Sequence, residues 1–247
     1  MKIVEIIKRL LGRSSSPWAV RIARDNQRIE KLLAAELQPH ANGIDIGAHE
    51  GEFLKLLIKY APQGKHWAFE PLPEYFTRLT ETFKQVAVHH IALSDRSGKA
   101  TFFKAVGAEA MSGLKPQHYP VPVQLEPFQV PISPLDALIP KEAQIDIIKI
   151  DVEGAELQVL KGGLNTINRC KPVIIFEFAQ LHAEAYATTP DAMYRFFEDI
   201  NYTIFRLDKQ EVYTSQSFLE NFHRSHQTNY NQFAETNFLG ISNERKR

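Results

Sequence analysis

Two carboxylates, Asp151 and Glu153, follow directly on an apolar run at residues 145–150, and a third, Glu177, stands at the end of another at 173–178. With His49 and His182 they are the side chains suited to take a proton from a weak acid such as an aliphatic hydroxyl, which needs a base or a metal beside it. Asp151 and Glu153 are two apart, so on a strand they share a face, a rule that weakens past the strand end. Asp151, Glu153 and Glu177 together also offer oxygen ligands for Mg²⁺. Clustered acids arise without a metal as well, so the reading favours a base and assigns no metal ligand. Each residue has a plainer alternative. Lys149 pairs with one of the acids as a structural ion pair, and Glu153 is an acid at a helix N-terminus. His49 bonds only to turn backbone, and His182 sits on a surface loop. His89 and His90 fall inside a strand and read as structural.

A second constellation is built to hold a ligand. Residues 42–51, Asn-Gly-Ile-Asp-Ile-Gly-Ala-His-Glu-Gly, form a short buried strand and a tight glycine turn. They lead into an amphipathic helix at 52–60 with Phe53, Leu56, Leu57 and Tyr60 on one face. Residues 66–73 begin as another apolar strand and carry Glu70 at its end. Strand, turn, helix and acid-ended strand make a βαβ nucleotide-binding unit, in which Gly47 and Gly51 let backbone approach a ligand closely. Glu70 lies about 20 residues beyond the turn, where a carboxylate accepts hydrogen bonds from both ribose hydroxyls. A dinucleotide fingerprint uses three glycines to seat a pyrophosphate on the helix N-terminus. This turn has two, with Asp45 and Glu50 and no Lys or Arg. That suits a ligand with a cationic end and no phosphate, S-adenosylmethionine. A dinucleotide and a ligand-free turn are the competing readings.

Four blocks in order carry a resemblance: Asp45–Gly51 (Asp-Ile-Gly-Ala-His-Glu-Gly), 69–73 (Phe-Glu-Pro-Leu-Pro), 92–98 (Ala-Leu-Ser-Asp-Arg-Ser-Gly) and 148–156 (Ile-Lys-Ile-Asp-Val-Glu-Gly-Ala-Glu). Leu160-Lys161-Gly162-Gly163 and Phe176-Glu177-Phe178 extend it. The set resembles the FkbM family of S-adenosylmethionine-dependent methyltransferases over residues 40–180, with 148–156 its most specific piece. The Asn usual near positions 82–83 is absent; Thr82 and Phe83 stand there. The resemblance implies a donor site made of Asp45, Gly47, Ala48, His49, Gly51, Glu70, Pro71, Ala92, Leu93, Ser94, Asp95 and Asp151. Glu70 would hold ribose, 93–95 would flank adenine, and Asp45 would orient the turn and meet the ammonium through water. It further implies O-methylation of a hydroxyl on a sugar, glycolipid or polyketide-like product; the candidate bases for that step are the residues read above, Asp151, Glu153, Glu177, His49 and His182. An NAD(P)-linked oxidoreductase and a non-catalytic binding subunit are the alternatives.

Composition narrows the partners. The 247 residues hold 29 basic and 29 acidic side chains, so a nucleic-acid footprint, which needs a basic surplus, is not expected. Hydrophobic residues make 44% and charged residues 23%, the balance of a soluble globular protein. A single cysteine, Cys170, leaves no internal disulfide and points to a reducing cytoplasm. No apolar run approaches the roughly 18 residues of a membrane span, and Glu5, Lys8 and Arg9 break up any secretory signal.

The elements that must position these residues follow in order. Residues 1–13 show Ile3, Ile6, Ile7, Leu10 and Leu11 at helical spacing beside four basic residues. They read as a helix packed on the domain, with weak membrane-surface contact the sharper alternative. A second helix spans 20–37, and residues 1–40 form an N-terminal helical extension to a methyltransferase domain at 41–247. A helix follows Pro71 to about residue 83, then a strand at 86–92 and a turn at 94–98. An extra strand at 99–105 hairpins off that turn. Residues 106–127 read as a long irregular cover over the acceptor site, followed by a strand at 128–132. Further strands fall at 145–150, 173–178, 202–207 and 238–241, with helices at 155–160 and 191–200. Residues 215–236 carry no assignment. This alternation predicts an α/β fold: a Rossmann-like, doubly wound, mostly parallel seven-stranded sheet of the class I methyltransferase type. Ligands in such sheets sit beyond the C-terminal strand ends, which gathers the two constellations at one rim. Oligomeric state is left open.

Overall fold

A computed structural model describes residues 17–119, 122–225 and 235–245. The helix expected at 1–13 and part of the unassigned segment 215–236 lie outside that set. The frame is a seven-stranded sheet of β1 (Gly43–Ile46), β2 (His66–Phe69), β3 (Val86–His89), β7 (Ile147–Ile150), β8 (Val173–Glu177), β9 (Tyr202–Arg206) and β10 (Asn237–Ser242), in the order β3-β2-β1-β7-β8-β10-β9. The first five run parallel, and β10 enters antiparallel between β8 and β9. The short apolar strands of the sequence are explained by burial on both faces. Ile148, Ile150, Ile174 and Phe176 pack to one side, while Ile147 and Ile175 pack to the other, as strand alternation requires.

Helices cover both faces. Residues of α1 (Pro17–Glu36), α2 (Glu52–Tyr60) and α3 (Pro73–Thr82) meet one face through Ile29, Leu33, Phe53, Leu54, Leu57 and Leu79. The other is covered by α4 (Glu156–Gly162), α5 (Leu164–Cys170), α7 (Pro190–Asp199) and α8 (Ser215–Ser225), through Leu157, Leu160, Ile167, Met193, Phe197 and Phe218. A one-turn helix, α6 (Gln180–Ala183), follows β8. None of the helices among the described residues is long and apolar enough to cross a membrane.

Several boundaries differ from the sequence expectation. The strand expected at 86–92 is two. It stops at His89, whose carbonyl takes the N–H of Glu70 (3.1 Å) and also that of Ile91 (3.1 Å), folding the chain out of the sheet. The His90 ring then lies on the carbonyl of Pro71 (3.0 Å) and stacks on Phe76. What remains, β4 (Ala92–Leu93), joins a separate three-stranded sheet with β5 (Gly98–Ala105) and β6 (Leu125–Ser133) in the order β4-β6-β5. β5 pairs antiparallel with β6 along its whole length, rather than hairpinning onto the strand before it. β6 starts three residues earlier than expected, and a 3-10 turn, Glu109–Met111, interrupts the irregular segment. Three helices were not expected, α5, α6 and α8.

Candidate active site

Sheet order reverses between β1 and β7, so the C-terminal ends of these strands open the crevice where ligands bind in this architecture. The glycine turn is wedged there. Gly47 and Ala48 donate their N–H groups to the carbonyl of Phe69 at the end of β2 (3.0 and 3.3 Å). Gly47 adopts φ +79°, and a Cβ on it would overlap the carbonyl oxygen of Asp151 at the end of β7. Gly51, at φ +77°, caps α2 and faces Leu79 and Phe83 of the α3 region. The positions 82–83 where the family Asn is absent therefore carry an aromatic ring that packs on the turn.

Behind the turn the polar groups are buried and sparsely matched. Glu70 is 3% exposed. Its carboxylate accepts the N–H of His49 (2.7 Å) and the N–H of Leu72 (2.9 Å). Burial pushes its pKa up to about 7 against those two donors. Asp45 is 1% exposed, and neither of its oxygens has a hydrogen-bond partner. Burial pushes it up to about 6, with the Lys149 ammonium opposing. A buried carboxylate without a donor is rare enough to ask for one from a ligand. His49 holds the left-handed φ of 44°, its ring lies 4.2 Å from that of Tyr75, and its Nε2 is buried without a partner. Burial lowers its pKa, so the ring is neutral near pH 7.

Across the crevice lies a second charged group. Lys149 Nζ holds Asp151 Oδ2 at 2.9 Å. Burial alone would raise the Asp151 pKa, but the ammonium outweighs it and keeps the carboxylate low. Asp151 is thus a counter-ion and a poor proton acceptor. Glu153 sits on a left-handed φ of 58°, with Gly154 at φ 108° behind it. Any Cβ at Gly154 would overlap the His182 carbonyl. Non-glycine residues in that region are costly and cluster at functional sites. The loop is tied down by Glu156, which accepts the N–H groups of Val152 (3.2 Å) and Gly154 (3.0 Å).

The His182 imidazole stands between two carboxylates, its Nδ1 3.4 Å from Glu153 Oε2 and 3.4 Å from Glu177 Oε2. Burial would lower its pKa; the two glutamates outweigh that and raise it, making it an imidazolium. Burial, together with Glu177 and Asp151, raises that of Glu153. Ligand atoms of Glu153, Glu177 and His182 all lie within 4.8 Å of one another. This is not the all-oxygen Mg²⁺ set the sequence suggested, because Asp151 is drawn off to Lys149, and Mg²⁺ fits poorly.

The rim therefore joins Asp45, Gly47, Ala48, His49, Gly51, Glu70 and Asp151, with Glu153, Glu177 and His182 beside Asp151. Ala92–Asp95 stand apart from the charged groups. Ala92 packs in a cluster with Leu72 and Tyr75, Ser94 donates its N–H to the Ser133 carbonyl, and Asp95 is exposed. Pro71 is buried, its carbonyl taken by His90. Three residues of the site escaped sequence reasoning: Tyr75, Glu156 and Gln117, whose Nε2 donates to Glu153 Oε2 (2.9 Å). Glu156 had a readable signal, an acid two residues after a glycine at a helix start; Gln117, in an aperiodic segment, had none.

The Methyltransferase FkbM domain description matches residues 45–204. The chain belongs to the FkbM methyltransferase family. It is an S-adenosylmethionine-dependent methyltransferase, and the oxidoreductase alternative falls away. The 2-O-methyltransferase NoeI of Sinorhizobium fredii is 28% identical over 169 residues, covering 62% of this chain and 70% of NoeI. The hexuronic acid methyltransferase AglP of Haloferax volcanii is 27% identical over 170 residues, covering 67% of this chain and 66% of AglP. This FkbM chain thus spans about two thirds of each curated relative. Among solved structures, the plantazolicin methyltransferase BpumL, in complex with a pentazolic desmethylPZN analog and SAH, has a TM-score of 0.50 at 10% identity. That match covers 90% of this chain and 84% of BpumL, and it speaks for the fold alone.

Proposed function

We propose that this enzyme O-methylates a hydroxyl of a sugar, in a glycan or small glycoside, in the cytoplasm. The names of NoeI and AglP support a sugar acceptor. The observation that carries the reading is the Glu153–His182–Glu177 cluster, set beside the switch point where the donor turn meets Asp151. The donor fits the residues opposite. Glu70 would hold its ribose, and the partnerless Asp45 carboxylate would face its cationic amino-acid end. The Gly47–Gly51 turn lets backbone close on it, and Ala92–Asp95 would border its base. When bound, S-adenosylmethionine supplies a methyl carbon on a sulfonium whose departure as a neutral thioether needs no acid.

The protein's own work is proton removal and positioning. With His182 protonated and Glu153 in its ionised, active form, the cluster carries a formal charge of −1 (two carboxylates, one imidazolium). Glu153 takes the acceptor's hydroxyl proton as the oxygen bonds to the methyl carbon, leaving the cluster neutral. Burial makes Glu153 a stronger base than an ordinary glutamate. His182 is a positioning residue that holds both carboxylates. Asp151, locked to Lys149, fixes the strand end against Gly47.

The test is transfer of a labelled methyl group from the donor to a panel of glycosides, with the label recovered as a sugar methyl ether. Donor binding without transfer to any sugar overturns the reading. A Glu70→Gln variant, which keeps one carbonyl acceptor, is expected to bind S-adenosylhomocysteine more weakly by about 1–3 kcal/mol, the cost of hydrogen bonds to a charged group. Calorimetry showing an unchanged Kd in folded variant would remove Glu70 from the ribose.

A further inference from the structure

The three-stranded sheet lies outside the seven-stranded frame, and the excursion between β5 and β6 reaches back over the catalytic cluster. Phe103 and Gly113 pair through both backbone hydrogen bonds (2.9 and 3.2 Å), which turns the excursion toward the crevice. A Cβ on Gly113 would lie 3.6 Å from Glu153 Cβ and 3.6 Å from the Tyr186 hydroxyl. Lys115 Nζ reaches the Ala185 carbonyl (3.1 Å) and lies over the Tyr186 ring. Gln117 then meets the catalytic carboxylate itself.

The chemistry of Gln117 is constrained. Its Nε2 donates both hydrogens, to Glu153 Oε2 (2.9 Å) and to the Met111 carbonyl (2.8 Å). The Met111 carbonyl accepts only, so the amide cannot be reversed. Its Oε1 is left buried with no donor, and the Tyr119 hydroxyl, two residues on, is also buried without a partner. Buried polar atoms of this kind need a partner. Two acceptors, the Glu153 carboxylate and Gln117 Oε1, therefore stand on adjoining side chains. A ligand that satisfies both must bring two donors on neighbouring atoms. Two of the nearby cations are paired with acids, Lys149 with Asp151 and His182 with Glu153 and Glu177, while Lys115 rests on the Ala185 carbonyl. A carboxylate on the acceptor beside Gln117 Oε1 would face the Glu153 carboxylate and bring no donor to either acceptor.

We infer that Gln117 and Tyr119 form the acceptor subsite and that the acceptor is a neutral sugar presenting a vicinal diol. One hydroxyl sits on Glu153 and is methylated, while its neighbour donates to Gln117 Oε1. This rests on the sugar reading above, and it sets the acceptor apart from a hexuronic acid, the substrate in the name of AglP.

The test uses the full-length enzyme with labelled donor and matched acceptors: neutral methyl hexopyranosides, their monodeoxy analogues at the carbon next to the methylated one, and the corresponding methyl uronides. Wild type is expected to methylate the neutral glycosides and to lose kcat/KM about tenfold on the deoxy analogue, as for one lost hydrogen bond to a buried group. Gln117→Leu is expected to raise acceptor KM about tenfold and to abolish the discrimination between diol and deoxy analogue, with the Kd for S-adenosylhomocysteine unchanged. Tyr119→Phe, the milder substitution, is expected to raise KM several-fold. Equal use of diol and deoxy analogue by wild type, an unaltered KM in both variants, or a preference for the uronide overturns the subsite while leaving sugar methylation standing. Transfer to none of these sugars overturns both.

Discussion

A Glu153→Gln variant will bind donor as wild type does and transfer the methyl group about 10²- to 10⁴-fold more slowly, the usual contribution of a positioned base. The substitution is isosteric. The amide oxygen still accepts from Gln117 Nε2, so the loop keeps its tie, and only basicity is lost. The pH profile carries a second signature. Glu153 must be unprotonated to act, and its pKa lies above the ordinary 4.5 because it is buried beside other carboxylates. Wild-type kcat/KM therefore rises with pH through a value well above 4.5, and the variant loses that limb. His182→Gln separates base from positioner: it is expected to lower kcat and move the limb, because the glutamates lose the charge between them. Wild-type turnover in Glu153→Gln would end the assignment.

Gly47→Ala is the largest structural effect expected. The added methyl overlaps the Asp151 carbonyl, a backbone atom that cannot rotate away, and φ +79° is itself unfavourable for alanine. Relief requires β1 and β7 to separate at the switch point, which also loosens the N–H of Asp151 from the Ile46 carbonyl (3.0 Å). We expect a loss of about 3–5 kcal/mol, a fall in Tm of about 10 °C for a chain of this size, and no measurable donor binding. Gly98→Ala is the control. Its φ of +146° is also positive, but nothing lies within 4 Å of the added methyl, so only the backbone term, about 1 kcal/mol, is expected. Thermal melts in which the two variants shift alike would show that close packing at Gly47 contributes nothing.

Much of the fold was legible because its signals are local. β1, β2, β7 and β8 announce themselves as short apolar runs, since both faces of a central parallel strand are buried. α8 had a local signal that went unused: Thr214 Oγ1 accepts the N–H of Ser217 and Ser217 Oγ that of Thr214, with Phe218 and Phe222 one turn apart behind them. α5 had none. Its first N–H groups, of Asn165 and Thr166, are taken by the Asp136 carboxylate (2.9 and 2.8 Å), almost thirty residues upstream. The split of the strand at 86–92 is hidden for the same reason, because the bond that ends it joins His89 to Glu70.

Sequence alone determined the family, the glycine turn, the acid at the end of β2 and the set of five possible bases, because type and spacing along the chain are enough to state them. What sets the five apart from one another is visible only in the fold. Basicity is a property of surroundings: Lys149 lies beside Asp151 and lowers it, burial keeps His49 neutral, and His182 between Glu153 and Glu177 becomes their shared cation. Those neighbours come from β7, the loop after it, β8 and α6, and nothing in their order along the chain fixes the few ångströms between them.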